Sequence, residues 1–148
     1  MHESQFEMIR SYELQDTDAV VDIWRRASEL AHPFLTKDFL DTEAEALRTV
    51  YLAHAKTWVI EADAHVVGFV SMAGNEVAGL FLDPAYHRRG LGKALVDKVA
   101  ADHGALTVEV FKQNVIGRDF YDGYGFLPVD EYVHEPSGQA TLRMKLTR

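Results

Sequence analysis

The feature that most constrains this chain is a strand that stops at a proline and gives way, through a basic, glycine-punctuated turn, to a helix. In GLFLDPAYHRRGLGKALVDKVAA, residues 79–101, the apolar run Leu80-Phe81-Leu82 ends at Asp83-Pro84, and His87-Arg88-Arg89-Gly90-Leu91-Gly92-Lys93 opens a segment of helical periodicity. Leu91, Ala94, Leu95 and Val99 fall at i, i+3, i+4 and i+8, with Lys93, Asp97 and Lys98 on the other side. The first N–H groups of such a helix have no partner within it and sit at the positive end of its dipole. Glycines at 90 and 92 clear side chains away from those donors, while Arg88, Arg89 and Lys93 add positive charge, so the turn suits a phosphate. The plainer reading of the same residues is a tight turn with solvated basic side chains.

Two familiar nucleotide loops do not fit. A P-loop needs glycine where His87 stands and Ser or Thr where Ala94 stands, and a dinucleotide fingerprint starting at Gly90 needs a small residue where Leu95 stands. The segment instead resembles the pyrophosphate-binding motif of the GNAT superfamily of N-acetyltransferases, [QR]-x-x-G-x-[GA]. It reads His87-x-x-Gly90-x-Gly92 and departs from the pattern at its first position. A second stretch, Asn114 to Phe126, is similar to that superfamily's N-x-x-[AG]-x-x-[FL]-Y-x-x-x-G-F signature, with Asn114, Gly117, Phe120, Tyr121, Gly125 and Phe126 in register. Read from the residues alone, Asn114 caps a short helix, Phe120 and Tyr124 lie four apart on it, and Gly125 ends it where a left-handed conformation carries no Cβ strain.

The rest of the chain can be taken in order. Phe6 to Tyr12 reads as a strand. Val20, Ile23, Trp24, Ala27, Leu30 and Ala31 follow cap chemistry at Gln15 to Asp18 with helical spacing, and the helix stops near His32-Pro33. Thr42-x-x-Glu45 predicts the start of a second helix with Leu47, Val50, Tyr51 and His54 on one face. Residues 57–62 and 65–72 read as a hairpin around Asp63-Ala64, and 75–82 as the next strand, with a bulge or close approach expected at Gly79. After the helix behind the turn, 106–111, 127–133 and 140–146 read as strands. The expectation is a single α/β (α+β) domain over 1–148, with a mixed, mostly antiparallel twisted sheet of six to seven strands flanked by about four helices. Its order, β-α-α-β-β-β-α-β-α-β-β, is that of the superfamily.

Composition narrows the function. The formal charge is −8, with 23 acidic against 15 basic residues, which argues against a nucleic-acid partner and makes the basic turn stand out as a site for a small anion. Zero cysteines exclude disulfides and thiolate chemistry, and no run of about 18 apolar residues predicts a membrane span, so a cytoplasmic location is expected. The seven histidines show no i, i+4 pair, so no metal site is predicted.

The resemblance implies acetyl-CoA as co-substrate and direct transfer of its acetyl group to a primary amine of a small molecule, peptide or protein. It implies cofactor contacts at Leu80, Phe81, Leu82, the run His87 to Ala94, Asn114, Gly117, Phe120, Tyr121 and Tyr124. The strands at 75–82 and 106–111 are expected to splay, admitting the pantetheine chain and offering a backbone N–H near Leu82 to the oxyanion. Tyr121, protonated at neutral pH with an ordinary pKa of about 10, is the expected proton donor to the departing thiolate. Glu76, eleven residues before His87, is the expected base, placed by strand alternation on the side of Ala78, Leu80 and Leu82, with Glu109 a weaker competitor. Trp24, His32 and Phe34 are candidates for the acceptor site. A homodimer is common among such enzymes. Two other classes share the fold: a non-catalytic acyl-CoA-binding sensor and a toxin acetylating aminoacyl-tRNA.

Overall fold

The computed structural model describes residues 7–147. The Phe6 end of the first expected strand lies outside them, and β1 runs Glu7–Ser11. The following helix α1 (Thr17–Ala31) buries Val20, Val21, Ile23 and Ala27 along one stripe and ends at His32, as the following proline requires.

The second helix starts earlier than the capping pattern at Thr42 predicts. Thr36 is its N-cap, with Oγ1 accepting a hydrogen bond from the Phe39 amide at 3.1 Å, and α2 spans Lys37–Ala46 with Thr42 exposed in its interior. Leu40, 5% exposed, explains the difference, because its burial draws the residues before Thr42 into the helix. The rod continues through a π-helical turn, Leu47–Tyr51, and closes with α3 (Leu52–His54).

The hairpin is present as β2 (Lys56–Ala62) and β3 (His65–Ala73), followed by β4 (Glu76–Leu82). Beyond the turn come α4 (Leu91–His103), β5 (Leu106–Phe111), α5 (Val115–Tyr124), β6 (Leu127–His134) and β7 (Gln139–Leu146). With the kinked rod counted once, four helices flank the seven-stranded sheet, whose order is β1-β2-β3-β4-β5-β7-β6.

Every neighbouring pair is antiparallel except β4 and β5, which run parallel and share only the pairs Glu76↔Thr107 and Val77↔Val108. Past those pairs the two strands part, and each is held by its other neighbour: Gly79 to Leu82 by β3, and the whole of β5 by β7. The sheet carries a core on each face. One packs Leu95, Val96, Val99, Phe126 and Met144 beneath α4 and α5, and the other packs Val20, Ile23, Leu47, Val59 and Phe69 beneath α1 and the kinked rod.

Candidate active site

The site grows out of a bulge. Ser71 pairs with Gly79 but Met72 pairs with Val77, so Ala78 is an extra residue in β4 next to the glycine where an irregularity was expected. That residue inverts the alternation of side chains. Val77, with Leu80 and Leu82, packs on the α4–α5 face, while Phe81 meets Trp24 and Phe69 on the α1 face. Glu76 therefore does not share a face with Leu80 and Leu82, which corrects the expectation from strict alternation. It lies instead on the α1 face, within electrostatic reach of Glu109 and Arg143. Burial, and after it the Glu109 carboxylate, raise its pKa above the ordinary carboxylate value.

The phosphate turn is held at both ends. At its start, the Arg26 guanidinium grips Asp83 with bonds of 2.9 and 3.1 Å, and Asp83 Oδ1 accepts from the Ala85 amide at 2.9 Å, capping the short turn Pro84–Tyr86. At its end, Gly90 is the N-cap of α4 with φ +78°, a conformation that suits glycine, and offers no capping side chain to the first N–H groups. Arg88 also has a positive φ, +67°. A Cβ on Gly92 would lie 3.3 Å from Phe120 Cε1 and 3.5 Å from Leu82 Cδ1, so the bare glycine keeps a close approach between α4, β4 and α5.

A cleft of about 600 Å3 opens at this turn, lined by His87, Arg88, Gly90, Gly92 and Lys93 at one end and by Leu80, Leu82, Gly117, Phe120 and Tyr121 at the other. Leu91 is a further lining residue and is almost wholly buried. Leu30 of α1 and Ile116 of α5 also line it. Neither stood out in the sequence, since each belongs to an otherwise ordinary apolar helical pattern. Five expected contacts lie outside the cleft, two of which, Phe81 and Asn114, border a smaller cavity between β4 and β5. Arg89 stacks over the Tyr86 ring at 4.8 Å, Ala94 packs on the core, and Tyr124, whose hydroxyl donates to Asp97 at 2.6 Å, lines a neighbouring cavity with Lys93 and Phe120.

Where β4 and β5 part, a smaller cavity of about 120 Å3 is bordered by Gly79 to Phe81, Val108 to Phe111, His32, Asn114, Gly117 and Tyr121. Leu80, Gly117 and Tyr121 border both this wedge and the larger cleft. Tyr121 is 7% exposed, and burial raises its phenol above the ordinary value, so it remains protonated at neutral pH. Its ring is fixed edge-on against Phe120 and Phe126 at 5.3 and 5.2 Å between centroids.

Asn114 caps α5, its Oδ1 accepting from the Gly117 amide at 2.8 Å, and its Nδ2 donates to His32 Nε2 at 3.1 Å. His32 is buried and neutral, because desolvation lowers its pKa to about 4, and its ring is boxed edge-on by Phe34 and Phe111. Glu109 borders the wedge and accepts from Arg143 at 2.7 Å, whereas Glu76 does not border it. Tyr132 completes this polar cluster, with burial and then Glu109 raising its hydroxyl to about 12. Glu109 ranks below Glu76 in the sequence because an acidic residue in an alternating strand usually faces solvent; the bulge expected near Gly79 did not show that Glu76 would change face. Among the described residues no group of three or more His, Asp or Glu is gathered to hold a metal.

A parted sheet, a bare helix N-terminus beside a basic turn and a buried phenol bordering both cavities suit an extended ligand with a phosphate end, as an acyl-CoA-dependent transferase needs. The acetyltransferase (GNAT) domain profile matches residues 53–128. The chain is 36% identical over 124 residues to the peptidyl-lysine N-acetyltransferase YiaC of Escherichia coli strain K12, covering 83% of this chain and 85% of that one. The solution structure of apo-form YjaB from Escherichia coli superposes with a TM-score of 0.85 at 26% identity, over 94% of this chain and 96% of that one. The PaiA N-acetyltransferase of Thermoplasma acidophilum, solved in complex with coenzyme A, shares the fold with a TM-score of 0.75 at 19% identity, over 95% of this chain and 99% of that one. The chain belongs to the GNAT acetyltransferase family and is an acetyl-CoA-dependent N-acetyltransferase.

Proposed function

We propose that the acceptor is the side-chain amine of a lysine in a peptide or protein, and that Tyr121 and the carboxylates beside the wedge carry the proton transfers. The observation that carries the roles is the position of Tyr121, which borders both the large cleft and the wedge. The relatives named for peptidyl-lysine support the acceptor class.

The fit to the donor rests on the turn and the strand. Gly90 and Gly92 leave the first amides of α4 accessible, Arg88 and Lys93 border the same cleft, and the edge of β4 beyond Val77 is free of β5 and can meet an extended chain. Acetyl-CoA, when bound, supplies an activated carbonyl and a thiolate leaving group. Overall a C–N bond forms to the attacking amine as the C–S bond breaks. The ammonium must first give up a proton, for which Glu109, bordering the wedge, and Glu76, within electrostatic reach of Glu109, are the candidate carboxylates, acting directly or through water. Tyr121 would give a proton to the sulfur and regain one, directly or through water, from the attacking nitrogen, which must lose its second proton to become the amide, and a backbone N–H on the free edge of β4 is available to the developing oxyanion.

Thiol release from acetyl-CoA, followed with lysine peptides, polyamines, amino acids, aminoglycosides and arylamines, tests this reading. Lysine peptides are expected to be the preferred acceptors. Tyr121→Phe is expected to lose about 100-fold or more in kcat with coenzyme A affinity kept within about twofold. Unchanged turnover in that variant removes Tyr121 from the mechanism, and preference for another amine class removes the lysine assignment.

A further inference from the structure

On the α1 face of the sheet, beside the wedge, polar side chains from four different strands meet. Val108 and Val110 pack on the α4–α5 core, so Glu109 between them stands on the opposite face, and Leu142 and Met144 place Arg143 there in the same way. The two are direct partners across β5 and β7, and Arg143 Nη2 donates to Glu109 Oε2 at 2.7 Å. This is the one ion pair that Arg143 makes among the described residues, and it leaves Glu109 Oε1 outside it. Glu76 of β4 lies within electrostatic reach of both, and Tyr132 of β6 buries its hydroxyl beside Glu109. Of these four residues, Glu109 alone borders the wedge.

We infer that Arg143 is a positioning residue for proton removal: by pairing with one oxygen of Glu109 it keeps that carboxylate charged at the wedge beside Glu76, and Glu109 takes the proton from the acceptor ammonium. The inference rests on the lysine reading above and deepens it by choosing between its two carboxylates. The N–H bond of the ammonium breaks, its electron pair stays on nitrogen as the nucleophile, and the proton passes to Glu109 directly or through water. Two carboxylates within reach of each other resist being ionised together, and a guanidinium beside them offsets the repulsion. Glu76 feels both influences, Glu109 raising its pKa and Arg143 lowering it. The other titratable groups around Glu109 leave this balance to the carboxylates. His32, at the end of α1, is kept neutral by burial, and Tyr121 of α5 and Tyr132 of β6 stay protonated around neutral pH. Asp130 stands opposite Arg143 in β6, Lys145 of β7 lies opposite Thr107, and His134 packs against Phe111. The Arg143 and Glu109 side chains are 37% and 34% exposed, a setting in which an ion pair adds little to stability, so the effect of the pair is sought in the pH profile of the reaction.

Arg143→Gln removes the charge, and Arg143→Lys restores it without the planar fork. Thiol release with an N-blocked lysine peptide gives kcat/KM from about pH 5.5 to about pH 9, and calorimetry with coenzyme A reports whether the fold and cofactor site are intact. Arg143→Gln is expected to move the acid limb of the profile up by about half to one pH unit. Its kcat/KM then falls about three- to tenfold near pH 6 and recovers at high pH to within about twofold of wild type, with coenzyme A affinity kept within about twofold. Arg143→Lys should return most of the shift. Adding Glu76→Gln to Arg143→Gln should bring the limb back down, because it removes the repulsion that Arg143 offsets. Glu109→Gln should lose about 100-fold or more, and the acid limb with it, whereas His134→Gln should leave the limb in place. A limb that stays put in Arg143→Gln, or stays equally shifted in Arg143→Lys, reduces the pair to a structural contact and overturns the inference. So does a loss of turnover in Glu76→Gln that Glu109→Gln does not share, since Glu76 is then the base; in each case acetyl transfer to lysine stands. If the wild type releases no thiol with the peptide, the lysine reading falls and takes the inference with it.

Discussion

His32 accepts a hydrogen bond from Asn114 through Nε2, so the proton of its neutral ring sits on Nδ1 and protonating Nε2 would break the link between the end of α1 and the cap of α5. Burial holds its pKa at about 4, against 6.5 for an ordinary histidine. The depressed value fixes the sign of the pH dependence. Between pH 6.5 and about 4 the unfolded chain binds a proton that the folded chain refuses, so stability falls across that window as pH is lowered. The two and a half units amount to at most about 3 kcal/mol. Urea unfolding at pH 7 and pH 4.5 should show wild type losing more stability than His32→Gln, which cannot titrate there; equal losses would refute the assignment. The cap half of this link was legible because Asn114 and Gly117 are three apart in sequence. The histidine half was not, since its partner lies 82 residues away. Glu76 shows the same limit: one unpaired residue at Ala78 decides which face it occupies, and although Gly79 marked the neighbourhood of a bulge, strand periodicity does not reveal which residue goes unpaired.

At the scale of elements, local chemistry located strands and turns closely and placed one helix start about a turn and a half too late. The predicted 106–111 strand is β5 residue for residue, and the expected glycine turn is the N-cap of α4. For the second helix the capping pattern points to Thr42, whereas the observed cap is Thr36, and the tertiary burial of Leu40 accounts for the difference. The two threonines therefore separate cleanly by mutation. Thr36→Ala deletes the hydrogen bond to the Phe39 amide and is expected to cost about 1 kcal/mol in denaturant unfolding. Thr42→Ala, on an exposed position inside α2, is expected to be neutral or slightly stabilising, since alanine is the better helix former. The reverse order would mean that the helix begins at Thr42. The π-helical turn had no sequence signature of its own; only its apolar spacing, Leu47, Val50 and Tyr51, was visible, and that spacing reads equally as an ordinary helix.

Across the whole molecule, the sheet behaves as two antiparallel halves, β1 to β4 and β5 to β7, joined by two residue pairs. That narrow junction leaves an unpaired backbone edge inside the sheet, from Gly79 to Leu82, in addition to its two outer edges at β1 and β6. An extended ligand lying along it would satisfy those groups and bridge the halves. Hydrogen exchange can map this directly. Saturating coenzyme A is expected to slow exchange of amides within Gly79–Leu82, Gly90–Lys93 and the first turn of α5 if the proposed site holds, with the extended arm along the first group and the diphosphate end near the others. The β1–β2 pair and the outer edge of β6 should change little, since neither borders the cleft. The charge reversal Arg88→Glu should abolish the slowing at Gly90–Lys93, because a carboxylate then faces the diphosphate at the mouth of a helix whose amides favour anions. Slowing spread evenly over both halves would indicate general tightening of the fold, and slowing confined to β6 would place the cofactor on the opposite edge of the sheet; either result would displace it from the junction.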